Sequence, residues 1–133
     1  MEGKLKALHA GISVGDMDGA ISWYGKNLGF RVVSDEYIQP LKSRIVFIKN
    51  GDFEIELFEH DDRKPIPQER LAPNSDIQTI GTKHIAFRVE DMKALKKKFL
   101  ENGVDIAHEV TMGTDHVMFV RDNSGVLIEF IQN

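Results

Sequence analysis

Two stretches decide the fold: HAGISVGDMDGAISWYGKN at residues 9–27 and HIAFRVEDMKALKKKFLEN at residues 84–102. With an offset of 75 residues, both histidines, both Asp-Met pairs and both final asparagines fall in register. Similar segments follow each stretch, GDFEIELFE in the first half and SGVLIEFIQ in the second. Self-similarity at a fixed offset indicates that one supersecondary unit occurs twice. The sequence therefore predicts a duplicated fold.

Each copy is predicted to fold as a strand, a helix and three further strands, giving two tandem βαβββ units of the α+β class. The first strands, at residues 5–14 and 82–90, alternate apolar and polar side chains, as half-buried strands do. An N-cap aspartate and a terminal glycine bound each helix: Asp16 and Gly29 in the first copy, Asp91 and Gly103 in the second. The remaining strands are predicted at 30–37, 43–49, 52–59, 104–110, 115–121 and 126–132.

The whole chain, residues 1–133, is expected to form a single domain. Unit one is predicted at about 5–60 and unit two at about 81–133. Residues 61–80 hold three of the four prolines and many polar side chains, which is typical of a connector.

Composition and charge restrict the possible partners. The net charge is −4 and the basic residues are scattered apart from Lys96, Lys97 and Lys98, so the sequence lacks the basic stripe of a nucleic-acid-binding protein. No apolar run approaches membrane-spanning length, and the first residues do not resemble a signal peptide. We therefore expect no nucleic acid, no membrane and a cytoplasmic location. Since the chain has no cysteine, any metal site must use nitrogen and oxygen ligands.

Strand alternation places four potential metal ligands on the sheet face that the helices leave uncovered. These are His9, Glu56, His84 and Glu129. Their predicted neighbours on that face are apolar: Phe58, Ala86, Met118, Leu127 and Ile131. An unpartnered buried charge is costly, and a shared cation would supply the partner. Taken singly, each of the four is better explained as a structural or solvated group, but their repetition at equivalent positions predicts one divalent ion.

Five residues are candidate substrate contacts on the same face: Ser13, Phe58, Arg88, His116 and Met118. His116 could donate or accept a proton near the ion, although an exposed strand histidine explains it equally well. Arg88 could pair with an anionic substrate, although a salt bridge at the rim is the alternative.

Several segments resemble the vicinal oxygen chelate superfamily, which includes glyoxalase I, bleomycin resistance proteins, extradiol dioxygenases, methylmalonyl-CoA epimerase and fosfomycin resistance enzymes. The segments are LHAGISVGDMDGAISWYGKNLGF, FEIELFE, TKHIAFRVEDM and GVLIEFIQ. The resemblance implies an eight-stranded mixed sheet curled around a metal site, with the helices on its outer face. In its ligand set it is closest to bacterial glyoxalase I, whose ligands map onto His9, Glu56, His84 and Glu129. It also implies a homodimer, because those enzymes draw each site from both chains.

The implied function is that of a divalent-metal-dependent lyase or isomerase of the glyoxalase I type. Its substrate is a small molecule that chelates the metal through oxygens, and a proton next to the chelated carbonyl moves through an enediolate. Glu129 is the implied base and Glu56 its partner. Ni²⁺, Co²⁺, Mn²⁺, Fe²⁺ and Zn²⁺ all suit two imidazoles and two carboxylates. Ser13 and His60 stand where those glyoxalases carry an arginine and an asparagine that hold glutathione, so the use of glutathione stays open.

Two alternatives also stay open. An Fe²⁺-dependent ring-cleaving dioxygenase would use His9, His84 and Glu129 as its ligands, which leaves positions for substrate and oxygen. A non-catalytic protein of the drug-resistance type would bind a small molecule without transforming it.

Overall fold

The computed structural model describes residues 3–133 and divides the chain into two compact units, Met1–Lys64 and Pro65–Asn133. Each unit contains a four-stranded mixed sheet and a helix of at least ten residues. The α+β class and the tandem repeat of one unit, both predicted from the sequence, are confirmed.

The first unit follows the βαβββ order. Its elements are β1 (His9–Ser13), α1 (Met17–Leu28), β2 (Arg31–Ile38), a 3-10 turn (Gln39–Leu41), β3 (Ser43–Asn50) and β4 (Phe53–His60). The sheet order is β1-β4-β3-β2, in which β1 runs parallel to β4 and the other neighbours are antiparallel. The first and last strands of the unit therefore lie side by side.

The second unit repeats this topology after two short helices. Its elements are a 3-10 turn (Gln68–Arg70), α2 (Pro73–Asp76), β5 (Ile85–Arg88), α3 (Met92–Glu101), β6 (Asp105–Met112), β7 (Asp115–Arg121) and β8 (Leu127–Gln132). The sheet order is β5-β8-β7-β6, again with the first and last strands parallel. Both short helices fall within the predicted connector, for which no helix was expected.

The long helices begin where their sequences predict. The side chain of Asp16 accepts a hydrogen bond from the backbone N–H of Gly19 at 3.1 Å, and that of Asp91 accepts from the N–H of Ala94 at 3.0 Å. These bonds satisfy amide groups that have no partner within the first helical turn. Gly29 ends α1 with a left-handed φ of 75°, as expected.

A second, unexpected bond ties the start of each helix to the last strand of its own unit. The backbone N–H of Met17 donates to Oε2 of Glu59, and that of Met92 donates to Oε1 of Gln132, both at 2.6 Å. The two contacts occupy equivalent places in the two units. They fix the helix against the strand that also carries the candidate glutamate.

A separate apolar core joins helix and sheet in each unit. Its fully buried members include Tyr24, Ile48, Ile55 and Leu57 in the first unit, and Met92, Phe99, Met118 and Ile128 in the second. Such burial contributes roughly 1.5–3 kcal/mol for each large apolar side chain. In each unit, the helix packs on one face of the sheet and leaves the opposite face uncovered.

The first strand of each unit is shorter than predicted. Leu8, expected beneath a helix, precedes β1 and is 72% exposed. Strand β5 spans only Ile85–Arg88, where residues 82–90 were predicted. Within residues 3–133, no helix is long and apolar enough to cross a bilayer.

Candidate metal and substrate site

In the first unit, a histidine and a glutamate meet on the sheet face opposite α1. Parallel pairing of β1 with β4 sets Gly11 beside Glu56, and His9 lies two residues before Gly11 on the same face. Nε2 of His9 is 3.2 Å from Oε1 of Glu56, and their side chains are 30% and 21% exposed. The ring of Phe47, which pairs with Glu56 across β3 and β4, stands edge-on to the imidazole at 5.4 Å.

The second unit repeats this arrangement. Ala86 pairs with Glu129, and His84 lies two residues before Ala86. Nε2 of His84 is 3.2 Å from Oε1 of Glu129, and the side chains are 25% and 17% exposed. The ring of Phe119 stands edge-on to the imidazole at 5.0 Å. The repeat thus extends from the backbone to an equivalent group of three side chains.

Each pair has the chemistry and the spacing of two ligands of one ion. Imidazole nitrogen and carboxylate oxygen are ordinary donors for divalent transition metals. Two donors bound at right angles at about 2.1 Å each would lie about 3 Å apart, close to the separation in both pairs. Each unit contains one such pair. Among the described residues, no group of three or more His, Asp or Glu side chains is close enough together to hold a metal ion.

Two aromatic side chains were missed by sequence reasoning. Phe47 and Phe119 pair directly with the two glutamates in the sheet register. The signal was present in the hairpins, because residues opposite each other on antiparallel strands share a face. Counting back across each turn from Glu56 and Glu129 reaches these phenylalanines.

The predicted face of Met118 is wrong. Met118 pairs with Phe130, whose ring contacts that of Phe99 on α3 at 5.3 Å, so Met118 lies on the helix side of the sheet. The alternation rule failed because residues 117–120 are all buried, on both faces of β7. A strand covered on both faces gives no polar pattern from which its orientation can be read.

His116 shares the face of Met118, as predicted, and is therefore also on the helix side. Its Nε2 lies 2.6 Å from Oε2 of Glu109, whose Oε1 accepts a hydrogen bond from Lys96 of α3 at 2.7 Å. Hydrogen bonds from Lys96 and then from His116 hold the pKa of Glu109 below its ordinary value. His116 thus pairs with Glu109 on the face of the sheet that packs against α3, opposite the face that carries Glu129.

Comparison with known proteins places this geometry in a family. Residues 6–130 match the Glyoxalase/Bleomycin resistance protein/Dioxygenase superfamily. The chain belongs to this superfamily. The predicted membership, inferred from the duplicated histidine and glutamate segments, is confirmed.

Several relatives of this protein have names that describe them as lyases. A probable lactoylglutathione lyase of Vibrio parahaemolyticus is 26% identical over 96% of this chain and 91% of its own length. The lactoylglutathione lyase of Haemophilus influenzae is 27% identical, with 97% and 93% covered. Among solved structures, a trypanothione-dependent glyoxalase I of Leishmania major has a TM-score of 0.76 at 27% identity, covering 97% of this chain and 87% of its own. A glyoxalase family protein of Enterococcus faecalis has a TM-score of 0.82 at 21% identity, with 98% and 99% covered, which shows the fold.

The remaining predicted contacts lie on the candidate face. Ser13 pairs with Phe58, which follows Glu56 by two residues. Arg88 lies two residues beyond Ala86, is exposed, and donates from Nε to Oδ1 of Asn133 at 3.2 Å.

His108 also lies on the candidate face. It pairs with Phe119 in the register, and the two rings are 6.5 Å apart. Sequence alternation missed it because a bulge between Ile106 and His108 shifts the side-chain pattern of β6. His108 thus extends the aromatic surface beside Glu129 by one strand.

An open cavity of about 410 Å³ adjoins His9. The start of β1 and the hairpin between β3 and β4 form its walls. Its lining residues are Ala7, Leu8, His9, Asn50, Asp52 and Phe53. Of the first pair, His9 lines this cavity and Glu56 does not.

Proposed function

We propose that this superfamily member is a divalent-metal-dependent lyase or isomerase of the glyoxalase I type. The observation that carries the proposal is the duplicated pair of His9 with Glu56 and His84 with Glu129, at 3.2 Å in both units. The names of the lactoylglutathione lyase relatives support the same reaction class. A cytoplasmic location stays a prediction within this proposal.

The proposed ligand set joins both pairs on one ion. In the homodimer implied by the superfamily resemblance, one pair would come from the first unit of one chain and the other from the second unit of its partner. Once bound, the ion would act as a Lewis acid that polarises a substrate carbonyl and stabilises negative charge on its oxygen. A six-coordinate ion held by these four protein donors would leave room for two substrate oxygens.

Glu129 is the proposed base. Its side chain is 17% exposed and lies beside Ala86 and Phe119, so water has limited access to it. It would remove the proton from the carbon next to the substrate carbonyl. The electron pair of that C–H bond forms a carbon–carbon double bond, and the π pair of the carbonyl moves onto its oxygen. Return of this proton to the former carbonyl carbon, with transfer of the hydroxyl proton through Glu56 to the former carbonyl oxygen, completes an isomerisation that needs no oxidant or reductant.

Glu56 is the proposed partner of Glu129. Its position in the first unit is equivalent, with Phe47 in the place of Phe119. It would hold the hydroxyl proton on the opposite side of the substrate. Phe47 and Phe119 would limit water at the reacting carbons and so protect the intermediate from side reactions.

The first substrate class to test is the hemithioacetal of a 2-oxoaldehyde with a thiol. Glutathione is one candidate thiol, because two relatives are named lactoylglutathione lyases. Nδ1 of His60 accepts from the N–H of Asp62 at 2.9 Å, which leaves the Nε2 proton of a neutral ring free to donate to a substrate. Ser13 therefore offers a hydroxyl group in place of the arginine, and His60 offers a ring N–H in place of the asparagine.

The function is tested by reconstituting metal-free protein separately with Ni²⁺, Co²⁺, Mn²⁺, Fe²⁺ and Zn²⁺. Each form is assayed on hemithioacetals formed with glutathione and with smaller thiols, with and without oxygen. We expect turnover with at least one ion, unchanged under strict anaerobiosis. Oxygen consumption with a catechol and Fe²⁺ would instead support the dioxygenase, and ligand binding without turnover by any form would support the non-catalytic alternative.

A further inference from the structure

We propose that Asp76 is a positioning residue for His84, acting through a polar clamp on the backbone that leads into β5. The clamp consists of Asp76, Arg70 and Lys83. The proposal rests on the proposed function only where it treats His84 as a metal ligand.

The centre of the clamp is a buried carboxylate with two cations. The side chain of Asp76 is 2% exposed, and its Oδ1 lies 2.8 Å from Nε of Arg70 and 3.2 Å from Nζ of Lys83. Burial acts to raise the pKa of Asp76, but the hydrogen bonds from Arg70 and Lys83 outweigh it and lower the pKa. The carboxylate is therefore charged at neutral pH and keeps both cations in place.

Both cations also bind backbone carbonyl groups near His84. Arg70 donates from Nη2 to the carbonyl oxygen of Thr82 at 2.7 Å. Lys83 donates from Nζ to the carbonyl oxygen of Asp76 at 2.6 Å and to that of Thr79. Thr82 and Lys83 immediately precede His84. Thr82 is thus held by its carbonyl group and Lys83 by its side chain.

Apolar packing does little to hold this segment. Ile77 and Ile80 are 70% and 102% exposed, and residues 77–84 contain no helix or strand. Regular sheet pairing begins only at Ile85. The clamp is therefore the main restraint on the backbone before His84, and through it on the imidazole that contacts Phe119 and Glu129.

The first unit provides an internal comparison. Residues 3–8 precede His9, and this part of the described chain makes no side-chain hydrogen bond or ion pair. Leu5 and Leu8 are 78% and 72% exposed. Loss of the clamp should therefore disturb His84 and leave His9 unchanged.

The test compares Asp76→Asn with Asp122→Asn in the full-length protein. Asp122 is also a buried carboxylate of the second unit, 5% exposed, and its Oδ1 accepts hydrogen bonds from the N–H groups of Ser124 and Val126 in the turn at residues 122–126. Lys83→Met is the second clamp variant, since it keeps an apolar stem and removes the ammonium group. It replaces Asp76→Asn if that protein does not fold.

The first readout is the nuclear magnetic resonance spectrum of the histidine rings without metal. The edge-on contact with Phe119 displaces the His84 signals by the ring current, and Phe119→Leu assigns that displacement. We expect both clamp variants to move the His84 signals towards those of a free peptide histidine while the His9 signals stay in place. We expect Asp122→Asn to lower the melting temperature without moving the His84 or the His9 signals.

The second readout is Co²⁺ affinity by titration calorimetry. We expect the clamp variants to bind Co²⁺ about 10- to 100-fold more weakly, as is usual when a residue that orients a metal ligand is lost. The Asp122→Asn protein should bind as the unchanged protein does. His84 signals and Co²⁺ affinity that stay unchanged in both clamp variants would overturn the proposal. If the unchanged protein binds no Co²⁺, the proposed function fails, and the His84 signals alone decide whether Asp76 positions this ring.

Discussion

Nε2 of His84 lies 3.2 Å from Oε1 of Glu129, the same separation that joins the equivalent pair of the first unit. The cause is topological, because the first and last strands of each unit are parallel neighbours and bring side chains from its two ends together. A chance surface contact would have no reason to recur at the same distance with the same aromatic neighbour. The duplicated pair is therefore the feature from which function is best inferred.

Glu129→Gln tests the proposed base. We expect the activity found with the best metal and hemithioacetal to fall about 10²- to 10⁴-fold, since an amide cannot accept the proton. The melting temperature should change little because the side chain keeps its shape. Steady-state kinetics and thermal unfolding measure the two effects.

The matched control for this variant is Glu101→Gln. Glu101 is an exposed glutamate at the end of α3, in the same unit. It should retain full activity. Equal activity of the two variants would show that Glu129 is not the base.

Mixed dimers test whether two chains share each site. We combine His9→Ala protein with His84→Ala protein, each expected to be inactive alone. After random exchange, half of the dimers carry both variants, and one of their two shared sites has all four ligands. We therefore expect about a quarter of the unchanged activity to return. Absence of recovery, with exchange verified by native mass spectrometry, would mean that each site lies within one chain.

His116→Gln tests the corrected position of this residue. Because His116 pairs with Glu109 on the helix side, we expect kcat/KM to change by less than about twofold, with a loss of stability below about 1 kcal/mol. His108→Gln is the companion variant, since His108 lies beside Phe119 on the candidate face. It should raise KM more than His116→Gln does. The reverse order in the kinetic measurements would restore the original assignment of His116.

The pH dependence of stability tests the ion pairs of Glu109. Because the folded state lowers its pKa, its contribution to the free energy of unfolding is fully present above the ordinary glutamate value of about 4.3 and is lost as the pH falls through the lower folded value. Urea unfolding between pH 7 and pH 3 should therefore show Glu109→Gln less stable than the unchanged protein at neutral pH and nearly equal at the acid end. Parallel curves would exclude this contribution.

The sequence was sufficient to predict most of the fold. Local patterns predicted the repeat, the helix N-caps at Asp16 and Asp91, and the order of helix and strands along each copy. The structure confirms all three. The connector helices were not predictable, because residues 68–83 are organised around the buried charge of Asp76, which no periodic pattern reveals.

The candidate site was predictable where a glutamate interrupts an apolar strand. Glu56 lies between the buried Ile55 and Leu57, and Glu129 lies between the buried Ile128 and Phe130, so each glutamate was correctly assigned to the opposite face. Alternation misplaced Met118 because β7 is buried on both faces, and it missed His108 because of the bulge in β6. That both pairs bind one ion stays a prediction.

Metal stoichiometry tests that prediction most directly. We would measure bound Ni²⁺ or Co²⁺ by titration calorimetry and elemental analysis, using the unchanged protein and the single alanine variants of His9, Glu56, His84 and Glu129. We expect one ion per chain in the unchanged protein and at least about tenfold weaker binding in all four variants. Absence of a stoichiometric ion, or an affinity that depends on only one of the two pairs, would contradict a shared four-ligand centre.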